Sequence, residues 1–230
     1  MDNILIHYMS GRFPTKKDKP QNLNPVITIS REYGCYASQI AAQLCEKLQN
    51  ISKKQSQNQQ WQWLTKEILE KAASDLQVEP DNISHIFGAE DKGVLEDIVK
   101  SFASKQYTSD TKIKKTITEV VKSYGELGFV IIVGRASCVI LKDHPKALHI
   151  KLHAPFKWRS DCIKERFNIT ATESRKQVKE MEEKRSSFMN YFRCSLPENE
   201  LIDISFNRKT INTNDIVDSI IRIMELKKLI

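Results

Sequence analysis

The segment Arg31 to Gln39 carries residue types that grip phosphate: an arginine, a glycine and small side chains at the start of an amphipathic stretch. The apolar run Val26-Ile27-Thr28-Ile29-Ser30 precedes it, and Ile40, Ala41, Leu44, Cys45 and Leu48 follow at helical spacing. A strand, a turn on Gly34 and a helix start are therefore expected. Such a junction suits anions, because the first helical N–H groups lack intrahelical partners and the helix dipole is positive there. Laid on the phosphate-loop pattern of two glycines, a lysine and a hydroxyl, Arg31 takes the first glycine's place and Tyr36 the second. Ala37 takes the lysine's place and Gln39 the hydroxyl's, with Gly34, Cys35 and Ser38 completing the loop. Tyr36 adds a ring where backbone would approach phosphate oxygens. Ala37 brings no cation, and Gln39 is a poorer magnesium ligand than a hydroxyl. The place of a phosphate loop is present; its usual charge is missing.

Two further strand ends converge on the same chemistry. Phe129–Val133 is a continuous β-rich run ending in Gly134-Arg135, and Ala147–Leu152 is a strand followed by His153. In a parallel sheet, ligands sit beyond the carboxyl ends of strands. Arg31 and Arg135 abut two such ends and suit bidentate phosphate recognition. His153 reads as a strand-end residue. His149, Lys151 and His153 alternate with Leu148, Ile150 and Leu152, so one side of that strand is expected to be wetter than a central strand's.

The remaining elements follow from period and punctuation. Residues 1–25 form a polar leader. Lys53–Gln60 reads as a loop, Trp61–Leu64 as a short strand, and Thr65 as the N-cap of a helix through about Leu76. Val94, Ile98, Val99 and Phe102, then Ile113, Ile117, Val120 and Val121, recur helically up to Gly125 and Gly128. Helices are expected over Pro155–Phe167 and Thr172–Phe192, the second opened by a capping box, Thr170-Ala171-Thr172-Glu173. Leu201–Phe206 reads as a last strand and Asp215–Leu226 as a closing helix. Strands alternating with helices imply an α/β fold whose parallel sheet is covered by helices.

Composition narrows the partner. The 230 residues are 40% hydrophobic and carry a net charge of +7, which favours an anionic ligand. The longest apolar run falls far short of the roughly 18 residues a membrane helix needs, and no signal peptide is visible. Five cysteines with neither C-x-x-C nor regular spacing imply reduced thiols, a cytoplasmic setting and no metal site. A nucleic-acid partner ranks last, because Trp61, Trp63 and Trp158 are scattered and the basic residues of 157–193 are interleaved with acidic ones.

In order and spacing, these stretches resemble the cytidylate kinase-like branch of P-loop nucleoside monophosphate kinases. The resemblance rests on Ile27-Thr28-Ile29-Ser30-Arg31-Glu32-Tyr33-Gly34, Val130-Ile131-Ile132-Val133-Gly134-Arg135 and Leu148-His149-Ile150-Lys151-Leu152-His153-Ala154-Pro155. Trp158-Arg159, Arg166, Glu183-Lys184-Arg185 and Leu201-Ile202-Asp203-Ile204 extend it over roughly 26–225. It implies a three-layer P-loop kinase-like fold over 26–230. That fold has a parallel five-stranded sheet, a helical monophosphate-binding insertion at 65–125 and an arginine-bearing lid at 156–192. By position, residues 31–38 would be the phosphate loop, Gly134-Arg135 would hold the acceptor monophosphate, and Arg159, Arg166 and Arg185 would neutralise the transferring phosphoryl group. ATP with magnesium and CMP or a similar monophosphate would be the ligands. Related members carry Gly-Ser-Gly-Gly plus a basic residue where this chain has Gly34-Cys35-Tyr36-Ala37-Ser38, and an aspartate where it has Ala136. Weak or absent transfer is therefore expected. The alternatives are a non-catalytic nucleotide-sensing or interaction module on the same scaffold and, last, a basic nucleic-acid-binding protein.

Overall fold

The computed structural model describes residues 23–54, 59–65, 71, 74, 110–193, 197 and 200–230. Its strands are β1 (Val26–Arg31), β2 (Gln62–Leu64), β3 (Val130–Val133), β4 (Ala147–His153) and β5 (Ile204–Asn207). They form one sheet in the order β2-β3-β1-β4-β5, and every pair is parallel. The helices are α1 (Ala37–Lys54), α2 (Asp110–Leu127), α3 (Ser137–Ile140), α4 (Phe156–Phe167), α5 (Ala171–Arg193) and α6 (Thr213–Leu226). Val26 pairs with Val130 on one side and Ala147 on the other, so β1 lies between β3 and β4 as an interior strand.

The apolar runs resolve into two faces, because successive strand side chains point to opposite sides. Val26, Leu64, Val130 and Ile132 pack with α2 residues Ile117, Val120 and Val121 and α5 residues Phe188 and Phe192. Ile27, Ile29, Ile131, Val133, Leu148, Ile150 and Leu152 pack with Ile40, Leu44 and Leu48 of α1 and Ile216, Val217 and Ile220 of α6. Helix layers on both faces of the sheet account for the continuous hydrophobicity of its central strands. The result is three layers. From β1 the chain is carried to β2 on one side and, later, from β4 to β5 on the other. The carboxyl end of β1 therefore opens at a switch point of the topology, where a crevice forms.

Several boundaries moved for identifiable reasons. Helix α1 continues to Lys54 instead of ending near Leu48, since Ser52 is buried one turn beyond Leu48 and two lysines complement its C-terminal dipole. Strand β5 starts at Ile204, three residues later than expected. There the Asp203 carboxylate accepts the His149 N–H at 2.7 Å and a Lys227 ammonium hydrogen bond at 3.1 Å. These bonds hold Asp203 in a bend, with Leu201 in a turn just before it. The capping box forms as read: Glu173 accepts from the Thr170 N–H at 2.9 Å, and Thr170 Oγ1 accepts from the Glu173 N–H at 3.2 Å. Helix α3 had no periodic signal, being only 4 residues long. The leader up to residue 22, the helix expected after Thr65 except for residues 71 and 74, which are helical, and the Val94–Phe102 segment lie outside the described residues.

The polar side of β4 is dry only at His149, and Lys151 and His153 are half-exposed. His149 is buried, and its Nδ1 lies 2.7 Å from the Thr28 hydroxyl across the β1–β4 ladder. One hydrogen is shared between that hydroxyl and the ring nitrogen. Burial pulls the pKa of His149 below the usual 6.5, and burial does the same to His144. A group whose folded pKa is depressed contributes full stability above its unfolded pKa and loses it as pH falls towards the folded one. The unfolding midpoint should therefore drop as pH is lowered from 7.5 through 6.5 to 5. In His149→Gln, which cannot protonate, thermal melts across that range should show a smaller drop. An equal drop in both proteins would remove His149 as a cause.

Candidate functional site

Beyond β1, the loop from Glu32 to Tyr36 leads into the first turn of α1. Gly34 sits at φ +91°, and a Cβ there would lie 3.0 Å from both Cβ and the carbonyl oxygen of Arg159. Backbone shape and proximity thus both require glycine. Tyr36 takes a left-handed φ of +52° that glycine would adopt freely. For an L-residue this conformation costs about 1–2 kcal/mol. Its hydroxyl donates to the Cys162 carbonyl at 2.7 Å, so the ring leans on α4 and becomes a wall of the loop. The Cys35 carbonyl accepts from Arg208 Nε at 3.2 Å. Burial pushes the Cys35 thiol up to about 12, which leaves it protonated and inert at neutral pH.

Two cavities meet at this point. One, of about 480 Å³, is lined by Arg31 to Gln39 with Ile163, Arg166, Phe167 and Arg185. The other, of about 360 Å³, lies towards β3 and α5 and is lined by Ser30, Gly134, Arg135, Ala136, Lys151, Arg159, Glu182, Phe188 and Arg193, among others. Arg31, Glu32 and Arg185 line both. Gly134 makes room for this junction: a Cβ on it would fall 1.7 Å from Arg31 Nη1. Gly134, Arg135 and Ala136 take successive φ values of +74°, +58° and +54°, a sharp turn directly after a buried strand. Arg135 Nε donates to the Thr65 carbonyl at 3.2 Å, which ties the end of β2 to the cavity.

Arg159, Arg166 and Arg185 occupy three different settings. Arg159 is 5% exposed. Its Nε donates to the Ala154 carbonyl at 2.8 Å and lies 3.2 Å from a Glu32 carboxylate oxygen. Its Nη1 donates to the Tyr33 carbonyl at 3.2 Å and pairs with Glu182. Arg166 is exposed on α4, with its guanidinium carbon 5.5 Å from the Tyr36 ring centre and 5.4 Å from that of Phe167. Arg185 is half-buried, 5.1 Å from the Tyr33 ring centre, and stands in the wall between the cavities. Arg31, Arg135, Arg159 and Arg185 are thus brought to one cavity, while Arg166 borders only the other.

One expected position shifts. In G-x-x-x-x-G-K-[ST] the hydroxyl follows the lysine directly, which puts Ser38, not Gln39, in its place. Ser38 is half-buried and Gln39 exposed, and both line the loop cavity. Among the described residues there is no group of three His, Cys, Asp or Glu side chains that could hold a metal. The Ser38 hydroxyl is the type of group that ligates magnesium alongside phosphate oxygens and waters. Lys151 and Arg193 were missed as lining residues. The signal for Lys151 was available, as a cation near the end of a buried strand. Arg193 follows Glu182, Arg185, Ser186, Met189 and Asn190 at helical spacing along α5, and all of these line the cavity.

The all-parallel sheet, its strand order and the loop between β1 and α1 define a P-loop kinase fold. The family comparison agrees: the model of the cytidylate kinase-like family matches residues 26–210, and the chain belongs to that family. No curated protein matches the chain. Among solved structures, an uncharacterised protein from Eubacterium ventriosum is similar with a TM-score of 0.61 at 19% identity, over 88% of this chain and 98% of that one. Shikimate kinase from Bacteroides thetaiotaomicron aligns at a TM-score of 0.48 and 10% identity, covering 89% and 98% of the two chains. Shikimate kinase from Acinetobacter baumannii, in complex with shikimate, gives 0.48 and 12%, covering 90% and 96%.

Removing Arg159 leaves Glu32 and Glu182 without their common cation, and breaking such a buried pair typically costs about 3–5 kcal/mol. Arg159→Ala should lose stability on that scale in urea denaturation, whereas Arg166→Ala, on an exposed side chain, should change it by about 0.5 kcal/mol or less. Equal small losses would show that the Arg159 pairs do not hold the loop.

Proposed function

We propose that this protein binds a nucleoside triphosphate on the loop 31–38 and a nucleoside monophosphate such as CMP in the adjoining cavity, with phosphoryl transfer between them slow or absent. The observation that carries the reading is that the two cavities share Arg31 and Arg185. In such a site the terminal phosphoryl group leaves the diphosphate oxygen and joins an oxygen of the acceptor phosphate. Cations at the shared wall offset the charge that spreads over the transferring oxygens. Arg31, seated on Gly134, stands in for the cation that Ala37 lacks. Arg135 holds the acceptor phosphate, N–H groups at the start of α1 hold the donor phosphates, and Ser38 supplies the protein hydroxyl for magnesium.

Arg159 acts here as a positioning residue. Its bonds to Glu32, Tyr33 and Glu182 set the loop against α5 and so place Arg185. Residues 65–125 serve as the acceptor-side insertion and 156–192 as the lid of a domain spanning 26–230. Cys35, Cys45, Cys138 and Cys162 are free thiols, which suits a reducing compartment such as the cytoplasm. Among the described residues, no helix is long and apolar enough to cross a membrane. A nucleic-acid partner draws less support, since cations such as Lys157 and Lys176 are paired along their own helices with Asp161 and Glu180.

Titration calorimetry with ATP and CMP, with and without magnesium, and a coupled assay of ADP release test the reading. Both nucleotides should bind, and turnover should fall well below the usual range of about 1–10³ per second. Arg135→Ala should weaken CMP by roughly tenfold or more, in line with the loss of a charge-assisted bond. Ala37→Lys should raise turnover, with Arg31→Ala lowering whatever turnover the native chain has. Failure of both nucleotides to bind would falsify the reading, and a native turnover inside the usual range would overturn its catalytic half.

A further inference from the structure

One wall of the acceptor-side cavity is built from a single face of α5. Ser186, Asn190 and Arg193 are spaced by four and three residues, so they lie on one side of the helix, and all three line the cavity. The helix is fixed from behind, because Phe188 and Phe192 are buried in the core against α2. Ser186 and Asn190 are exposed. Among the described residues neither side chain has a hydrogen-bond partner, and Arg193 Nε is buried without one. A buried N–H lacking an acceptor is costly in the folded protein, and native structures seldom keep one without a use.

We propose that this face reads the base of the acceptor. The inference rests on the acceptor being a nucleoside monophosphate. An asparagine amide presents an acceptor and a donor side by side, which is the complement of a nucleobase edge. Asn190 pairs with that edge. Arg193 Nε donates to a ring carbonyl or ring nitrogen one turn further on, and the Ser186 hydroxyl completes the contact. Phe188 and Met189, also in the lining, give the ring apolar surface. Base choice thus lies in a helix of the lid as well as in any contact made by the insertion, and the phosphate is held separately by Arg135.

Calorimetry with CMP, UMP, AMP, GMP and ribose 5-phosphate, which keeps the phosphate and lacks the base, tests this on the full chain. In the native protein at least one nucleotide should bind about tenfold tighter than ribose 5-phosphate, as expected for a paired base edge. Asn190→Ala should bring that ratio to within about twofold while ribose 5-phosphate binds as before. Asn190→Asp, which turns the amide donor into an acceptor, should reorder the four nucleotides, a change that a merely structural residue would not cause. An unchanged ratio in Asn190→Ala overturns the proposal, as does a native protein that prefers no nucleotide over ribose 5-phosphate. Ribose 5-phosphate itself reports on the phosphate site: binding that Arg135→Ala removes supports the function proposed above, independently of how Asn190 behaves.

Discussion

The site depends on one buried cation. Arg159 lies among the Glu32 and Glu182 carboxylates and the carbonyls of Tyr33 and Ala154, and so joins the start of the loop, the end of β4 and the middle of α5. Glu32 adds a second bond to the same knot by accepting the Ala154 N–H at 3.0 Å. A buried ion pair contributes little net stability compared with apolar packing, but its bond directions hold parts in register. Here those parts are the walls of both cavities. With α5 fixed at Glu182, Arg185 falls one turn further on, between the loop and the second cavity.

The electrostatics of the two sides differ in kind. On the loop side, positive potential comes from the helix start, Arg31, Arg166 and Arg185, without a lysine in the loop itself. On the other side, Arg31, Arg135, Lys151, Arg185 and Arg193 come from β1, the turn after β3, β4 and α5. Binding an anion needs only that such groups surround it. Accelerating its transfer needs a donor aimed at charge that exists only in the transition state. A chain can lose the second and keep the first, which is the split that the proposed function assigns to this loop, with Ala37 where the phosphate-loop pattern has lysine.

The architecture was largely readable in the residues, because buried parallel strands and amphipathic helices leave strong periodic marks. Val26–Ser30 and Val130–Val133 are neighbours in the sheet, and the capping box at Thr170 forms as its spacing indicated. The misreadings have a common origin. Leu201–Asp203 looked like strand until a carboxylate turned it, and of the polar residues of β4 His149 alone is dry, held by Thr28 inside the protein, while Lys151 and His153 stay half-exposed as their alternation indicated. In each case the deciding partner lies far away in sequence. The positions of some expected site residues could also be read. Arg31, Gly134 and Arg135 stand beside strand ends and could be named, whereas the commitment of Arg159 to two carboxylates and the lining face of α5 exist only after the helices dock.

The tether between Tyr36 and the Cys162 carbonyl has a thermodynamic consequence. A loop rich in glycine wanders among many conformations and surrenders that freedom when it wraps a phosphate. In this chain the freedom is already gone, because Gly34 is wedged against Arg159, the Cys35 carbonyl is held by Arg208, and the Tyr36 ring is anchored on α4. The entropy lost in ordering the loop is charged to folding, so association with an anion meets a socket of fixed shape. A phosphate bound on such a loop would be selected by fit, where a pliable glycine loop would adjust to it.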